Sequence, residues 1–307
     1  MLTYNSDEDL FVLLPQLVRQ EGIRSSLIVV DNASAPESVR RIREWTSLNY
    51  PDAVVGPSED VQAWAEAHPE EARTSGRVFV IFNRENRGYS AGNNVGLRFA
   101  GFLGADAALI ANPDMRIEDT RFLARLAEPL FADERHCVAA SRVVGLDGKD
   151  QNPQREPSFW EELLWPAQYV RRWFGFSGYV TASGTTEPRA VPKVSGCCLL
   201  LRLSFLKEVG FLDENVFLYC EEAILAARIR SIGGRIVYVP DVTAVHAHRY
   251  GAKGNSARHI EFFVQSRGYY LRTYSGYSPA QLTALALSYR MLQYALSLKQ
   301  QLSARGA

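Results

Sequence analysis

The residues of this sequence best suited to chemistry are carboxylates and imidazoles that directly follow apolar runs. Asp114, in Asn112-Pro113-Asp114, stands just past the run Ala107 to Ala111. A carboxylate held there by Pro113 is a hard oxygen ligand for Mg²⁺ or Mn²⁺, or else the cap of the next turn. His246 and His248 follow Val242 to Val245. One of them can join Asp114 on a metal, since imidazole suits Mn²⁺; a structural or exposed role is the alternative. Arg249 and Lys253 can neutralise a diphosphate or sit in a solvated basic loop. Glu221-Glu222 follow Phe217-Leu218-Tyr219-Cys220 and open a helix. A carboxylate there is a general base if it faces a crevice, and complements the helix dipole if it does not.

The segment Asn83 to Gly96 is rich in Asn and Gly. Its glycines allow backbone to approach a ligand closely, and it runs into a helix whose N-terminus suits a phosphate. It has neither the G-x-G-x-x-G spacing of a dinucleotide fingerprint nor a Walker lysine. Trp160 and Trp165 offer faces on which a sugar can stack, or pack the segment they belong to.

These groups need elements to position them. Leu10, Leu13, Leu14, Leu17 and Val18 fall on one helical face behind a Ser6-x-x-Asp9 capping signal. Leu27 to Val30, Val78 to Phe82 and Ala107 to Ala111 read as buried parallel strands, with helices at Pro36 to Trp45 and Ala91 to Leu103. That order predicts a mostly parallel α/β sheet flanked by helices, in which ligands bind beyond the carboxyl ends of the strands. The polar clusters Asp31-Asn32, Asn83 to Asn94 and Asn112 to Asp114 each end such a strand and should converge on one crevice. Further on, Asp147 to Pro192 reads as an excursion that packs on the body or covers a site. Val194 to Leu203 and Arg235 to Val239 read as strands, Glu221 to Ile232 as a helix, and the sequence is helical from about Ser256.

Composition limits the function classes. In 307 residues, 34 Lys and Arg balance 34 Asp and Glu, so no basic field points to nucleic acid. Cys137, Cys197, Cys198 and Cys220 lack C-x-x-C spacing and read as buried thiols of a reducing compartment. No apolar run reaches the length of a membrane span, and the first residues do not read as a signal peptide.

With these segments in place, the chain resembles family-2 glycosyltransferases of the GT-A fold, in the bacterial rhamnosyltransferase-like branch. The resemblance runs in order from Leu2 to Gly254. It is carried by Leu2-Thr3-Tyr4-Asn5-Ser6, Val29-Val30-Asp31-Asn32-Ala33-Ser34, Asn86-Arg87-Gly88-Tyr89-Ser90-Ala91-Gly92-Asn93-Asn94, Asn112-Pro113-Asp114, Val194-Ser195-Gly196, Gly210-Phe211-Leu212-Asp213-Glu214 and Val245-His246.

The resemblance implies a GT-A α/β fold, a Rossmann-like sheet with a C-terminal helical extension. Residues 1–115 form the nucleotide-sugar-binding half, 116–255 the acceptor-binding and catalytic half, and 256–307 the extension. It implies Thr3, Tyr4, Asn5, Asp31, Asn32, Asn86, Gly88, Gly92, Asn93, Asn94, Asn112, Arg249 and Lys253 around the donor. Asp114 and His246 hold Mg²⁺ or Mn²⁺, and Glu222, beside Glu221, is the base. The reaction would be inverting transfer from a nucleotide-diphosphate donor, dTDP-L-rhamnose first and a UDP-sugar second, to a cell-surface glycan or lipid-linked acceptor.

Two departures stand out. Glu222 is one methylene longer than the family's Asp, and Ile224 replaces its second acid. The chain also begins inside the first strand, which reads as a start lying upstream. A catalytically degenerate nucleotide-sugar or glycan-binding protein is the alternative function. A nucleotidyltransferase is disfavoured by the missing Gly-rich, basic loop after the first strand. A cytoplasmic place is expected, with residues 256–307 lying at the inner face of the membrane, packed against the body, or joining a second subunit in a homodimer.

Overall fold

Continuous apolar runs become inner strands because both faces of each run must be covered. The structure, a computed structural model, describes residues 1–166, 186–247 and 256–305. β2 (Leu27–Asp31) and β4 (Val78–Phe82) pair in parallel from Leu27↔Val78 to Asp31↔Phe82. β1 (Leu2–Thr3) pairs in parallel with β2, and β3 (Val54–Gly56) with β4, giving the order β1-β2-β4-β3. As the sequence implies, β1 is very short.

A second sheet is built from β5 (Ala107–Ala111), β6 (Met115–Arg116), β7 (His136–Gly145), β8 (Arg189–Val191), β9 (Cys198–Arg202) and β10 (Arg235–His246). Its order is β5-β9-β7-β10-β6, with β8 also on β10. The third parallel strand expected at Ala107–Ala111 is therefore corrected: β5 pairs antiparallel with β9. An apolar run does not set its own direction; the partner does, and here it comes some ninety residues later. No ladder joins the two sheets among the described residues. A cavity of about 650 Å³ lies between β2 and β5, lined by Leu27, Ile28, Ala108 and Leu109 among others.

Arg235–Val239 and Val242–Val245, read separately from sequence, are one strand. The register against β7 shifts between Val239 and Thr243, and Pro240, which has no N–H to give, falls in that break. Past it, β10 continues to His246 and pairs antiparallel with β6.

Helix Asp7–Val18 buries Leu10, Leu13, Leu14 and Leu17, as the periodicity predicts. The expected cap at its start is corrected: Ser6 makes no side-chain cap, and its hydroxyl donates to the Tyr4 carbonyl instead. A complete capping box is found at Ser158–Glu161, ahead of helix Phe159–Leu163.

The glycines of the Asn-rich segment sit where little room is left for a side chain. Helix Tyr89–Phe102 lies against β1 and β2. A Cβ on Gly92 would meet Leu2 at 2.5 Å, and one on Gly96 would meet Val30 at 3.2 Å. Gly88, at φ 98°, would meet the carbonyl oxygen of Phe217 at 2.4 Å. The close approach that these residues permit is therefore to the protein's own backbone and core.

The C-terminal helices Ser256–Tyr274 and Pro279–Arg305 cover helix Glu221–Ser231. They are tied down by polar groups as well as apolar ones. Arg267, 5% exposed, donates to Glu162 and, at 2.9 Å, to Glu156; Tyr289 donates to Glu162 at 2.7 Å; Lys193 pairs with Glu156. Tyr269 and Tyr274 both donate to Asp213, at 2.9 and 2.5 Å. One buried and one partly buried acid matched by two bases make a network that is neutral as a whole but costly to break at one member.

Glu162→Ala should therefore destabilise the protein by about 3–5 kcal/mol in urea unfolding, because Arg267 loses its closest counter-charge. A loss under about 1 kcal/mol would show that apolar packing alone seats these helices. Gly88→Ala should cost clearly more than Gly104→Ala. Both have positive φ, but nothing lies near Gly104, so that variant carries only the backbone penalty of roughly 1–2 kcal/mol. Equal losses would remove the Phe217 contact as the cause.

Candidate functional site

Asp114 and His246 are brought together by backbone pairing. The ladder between β6 and β10 sets His246 opposite Met115, and Ala247 N donates to the Asp114 carbonyl at 2.8 Å. His246 Nε2 lies 3.4 Å from Asp114 Oδ2, and both side chains are mostly buried. The amide oxygen of Gln151 accepts from His246 Nδ1 at 2.8 Å. That bond orients the ring and turns Nε2 toward the carboxylate.

One hard oxygen and one imidazole nitrogen suit Mn²⁺ or Mg²⁺. Among the described residues no group of three or more His, Cys, Asp or Glu is arranged to hold a metal. Among the described residues Asp114 and His246 offer one donor each, and ligand oxygens and water can add others. His248, Arg249 and Lys253 lie outside the described residues.

Glu222 arrives from the other side of the same neighbourhood. Tyr219 and Cys220 both have positive φ, 75° and 68°, which is costly for residues other than glycine. This turn swings helix Glu221–Ser231 so that its first residues face β9. Glu222 Oε1 accepts from the backbone N–H of Gly196 at 3.1 Å. The carbonyl of Gly196 lies 2.9 Å from the Tyr89 hydroxyl, which is also 2.9 Å from Asn112 Oδ1. A Cβ on Gly196 would sit 3.0 Å from Glu222 Oε1, so the carboxylate would have to give by a few tenths of an ångström. Burial, and then the charges of Glu221 and Glu222, push the Tyr89 phenol well above its ordinary value, so it stays a donor.

Glu221 differs from its neighbour. Its Oε1 is buried without a hydrogen-bond partner, and burial, followed by the nearby charge of Glu222, raises its carboxyl above the usual range. Ile224, where an acid was the expectation of the resemblance, is buried in the core under the C-terminal helices.

The first-half residues divide into two sets. Thr3 and Asp31 are register partners on β1 and β2, both fully buried, and Thr3 Oγ1 and Asp31 Oδ1 have no partner. Buried polar atoms left unpaired at strand ends are where a ligand group is most needed. Burial, before any other cause, raises the Asp31 carboxyl.

The other set is already engaged. Asn32 donates to Asn86 and to the Gly88 carbonyl, and accepts from Asn83. Asn94 exchanges two bonds with the Leu212 backbone and donates to Glu214. Asn93 donates to the Tyr89 carbonyl, and Asn5 accepts from Ala35 N while its own N–H donates to Ser34. These side chains fix the loops against one another. Tyr4 is exposed.

A cavity of about 370 Å³ opens beside Glu222, lined by Trp165, Lys193, Tyr219, Phe263 and Tyr289. The larger cavity between β2 and β5 contains none of Asp114, His246, Glu221 or Glu222, so size does not mark the chemistry here. Of these groups, Trp165 was singled out from sequence; Gln151, the Tyr89 hydroxyl and the Lys193–Arg267 network were not. All four cysteines are free and buried, as read. Trp160 projects into solvent.

Comparison with known proteins agrees with this fold. The profile of glycosyl transferase family 2 matches residues 1–210. The chain is 25% identical over 251 residues to the low-salt glycan biosynthesis hexosyltransferase Agl10 of Haloferax volcanii, covering 80% of this chain and 65% of that protein. It is 36% identical over 72 residues to the N-acetylglucosaminyl-diphospho-decaprenol L-rhamnosyltransferase of Mycobacterium tuberculosis, 24% of each chain. The chain thus spans just under two thirds of the first relative and a quarter of the second. Among solved structures, the mannosyltransferase PcManGT of Pyrobaculum calidifontis, in complex with GDP-Man and Mn²⁺, superposes with a TM-score of 0.54 at 19% identity, over 99% of this chain and 74% of that one. GalNAc-T7 with UDP, GalNAc and Mn²⁺ gives 0.51 at 16%, over 83% and 50%. These are GT-A folds, and the alternation of helices and sheet described above is the same architecture. With more than half its length matched by the family profile, the chain belongs to glycosyl transferase family 2.

Proposed function

We propose that the chain is an inverting glycosyltransferase. It moves a sugar from a nucleotide-diphosphate donor, dTDP-L-rhamnose first and a UDP-sugar second, to a hydroxyl of a cell-surface glycan or lipid-linked acceptor. The observation that carries the reading is the bridge at Gly196. Its N–H holds Glu222, and its carbonyl, through Tyr89, reaches Asn112, two residues from Asp114. A carboxylate and a two-donor metal site thus share one wall.

The donor's base and ribose would lie at Thr3 and Asp31, whose unpaired oxygens gain partners there. Asp114 and His246 would hold Mg²⁺ or Mn²⁺, as the Mn²⁺ in the two similar structures supports. When bound, the ion stabilises negative charge on the departing diphosphate. Gly196 fixes one oxygen of Glu222, and the other accepts no hydrogen bond among the described residues. That oxygen takes the acceptor hydroxyl's proton as the hydroxyl oxygen bonds to the anomeric carbon and the bond to the diphosphate breaks. Positive charge builds on the sugar ring in between, as in glycoside hydrolysis. Glu221, kept protonated longer than an ordinary carboxyl, adds little charge of its own. The rhamnosyl donor is supported by the name of the mycobacterial relative, and a lipid-diphosphate acceptor by the same name.

Glu222→Gln should leave donor binding unchanged and cut transfer by about 10²–10⁴-fold, read as nucleoside diphosphate released from a donor panel in the presence of extracted glycolipid. Glu221→Gln should retain most of the activity. The reverse pattern would make Glu221 the base. No release by the unaltered protein with any donor would favour the degenerate binding protein.

A further inference from the structure

Helix Pro279–Arg305 is apolar on both sides. Its inner face, with Leu285, Tyr289 and Leu292 buried, packs on the body and reaches the cavity beside Glu222. Its outer face carries Leu287, Met291 and Tyr294, exposed at 55%, 68% and 67%, one helical turn apart. The neighbouring helix Phe159–Leu163 is held to it by Ser288, whose hydroxyl donates to the Leu163 carbonyl, and brings exposed Trp160 and Leu164. Large apolar side chains exposed side by side on one face mark a contact surface.

Charge indicates what. The chain is neutral as a whole, yet residues 256–307 hold six basic residues against one acid, Glu261. Helix Pro279–Arg305 contains no acid at all. Arg272 and Arg290 are exposed and form no ion pair among the described residues. Arg290 sits between Leu287 and Tyr294 on the outer face. A second copy seated on this face by a two-fold axis would set basic residue against basic residue. An anionic surface would not. No helix of the described residues is long and apolar enough to cross a membrane, so contact would lie in the interface plane.

We infer that the outer face of helix Pro279–Arg305 is a docking surface for a bilayer bearing anionic lipids. Leu287, Met291 and Tyr294 enter the acyl boundary, and Arg290 meets the headgroups. Each basic group near such a surface and each apolar side chain that enters it strengthens binding. The inner face of the same helix then holds the cavity beside Glu222 close to the lipid. That the lipid also delivers the acceptor rests on the transferase reading; the binding itself does not.

The test is co-sedimentation of the full chain with vesicles of phosphatidylcholine, alone or mixed with phosphatidylglycerol. Binding should require the anionic lipid and weaken with salt. It should drop on the order of tenfold or more in Leu287→Glu/Met291→Glu, and several-fold in Arg290→Glu. Arg290→Glu changes one exposed group and serves if the double variant melts early. Equal binding to neutral vesicles, no binding, or insensitivity to both variants would overturn the inference. So would a dimer in light scattering that the variants split, which would give the face to a second copy. Glu222→Gln should bind vesicles as the unaltered chain does, so a failed transferase reading and a failed docking surface give different results.

Discussion

The site depends on one backbone unit. Gly196 donates its N–H to Glu222 and offers its carbonyl to Tyr89, and Tyr89 also reaches Asn112. A side chain at this position would press on the Glu222 carboxylate, which a Cβ would meet at 3.0 Å. The same segment leads into β9, which holds β5 on one side and β7 on the other. The carboxylate on one helix and the strand end that carries Asp114 are therefore placed by the same few atoms.

Two other constraints serve this arrangement. The left-handed pair Tyr219-Cys220 turns the chain so that Glu222 faces Gly196, and its cost must be met by packing. Cys220 is buried in the cluster under the C-terminal helices, and the Leu218 carbonyl accepts from Ser266. Those helices in turn rest on the Arg267–Glu162–Glu156 network. The extension thus clamps the turn that aims Glu222 at Gly196. On the metal side, the break at Pro240 lets β10 run on to meet β6, and that short ladder sets His246 against Asp114.

Much of this is legible in the sequence. Continuous apolar runs such as Leu27 to Val30 and Val78 to Phe82 announce buried strands, and the polar residues that end them announce a shared crevice. What is not legible is pairing. Nothing in Ala107 to Ala111 says that its partner is antiparallel, since an apolar run looks the same in either direction. Gln151 lies 95 residues before His246 and carries no local mark. The glycines of the Asn-rich segment signal close approach, but whether to ligand or to Leu2, Val30 and Phe217 is decided by tertiary packing. Ser6 has the right type for a cap and fails because its hydroxyl finds the Tyr4 carbonyl. Ser158 succeeds because Glu161 can answer it.

The central claim is that Asp114 and His246 receive a metal that in turn receives the diphosphate. The most direct measurement is calorimetric titration of UDP and dTDP into the protein with and without Mn²⁺, and into Asp114→Ala. Mn²⁺ should tighten nucleotide binding by about 5–150-fold in the unaltered chain and by almost nothing in the variant. The same dependence on Mn²⁺ in both would contradict the account.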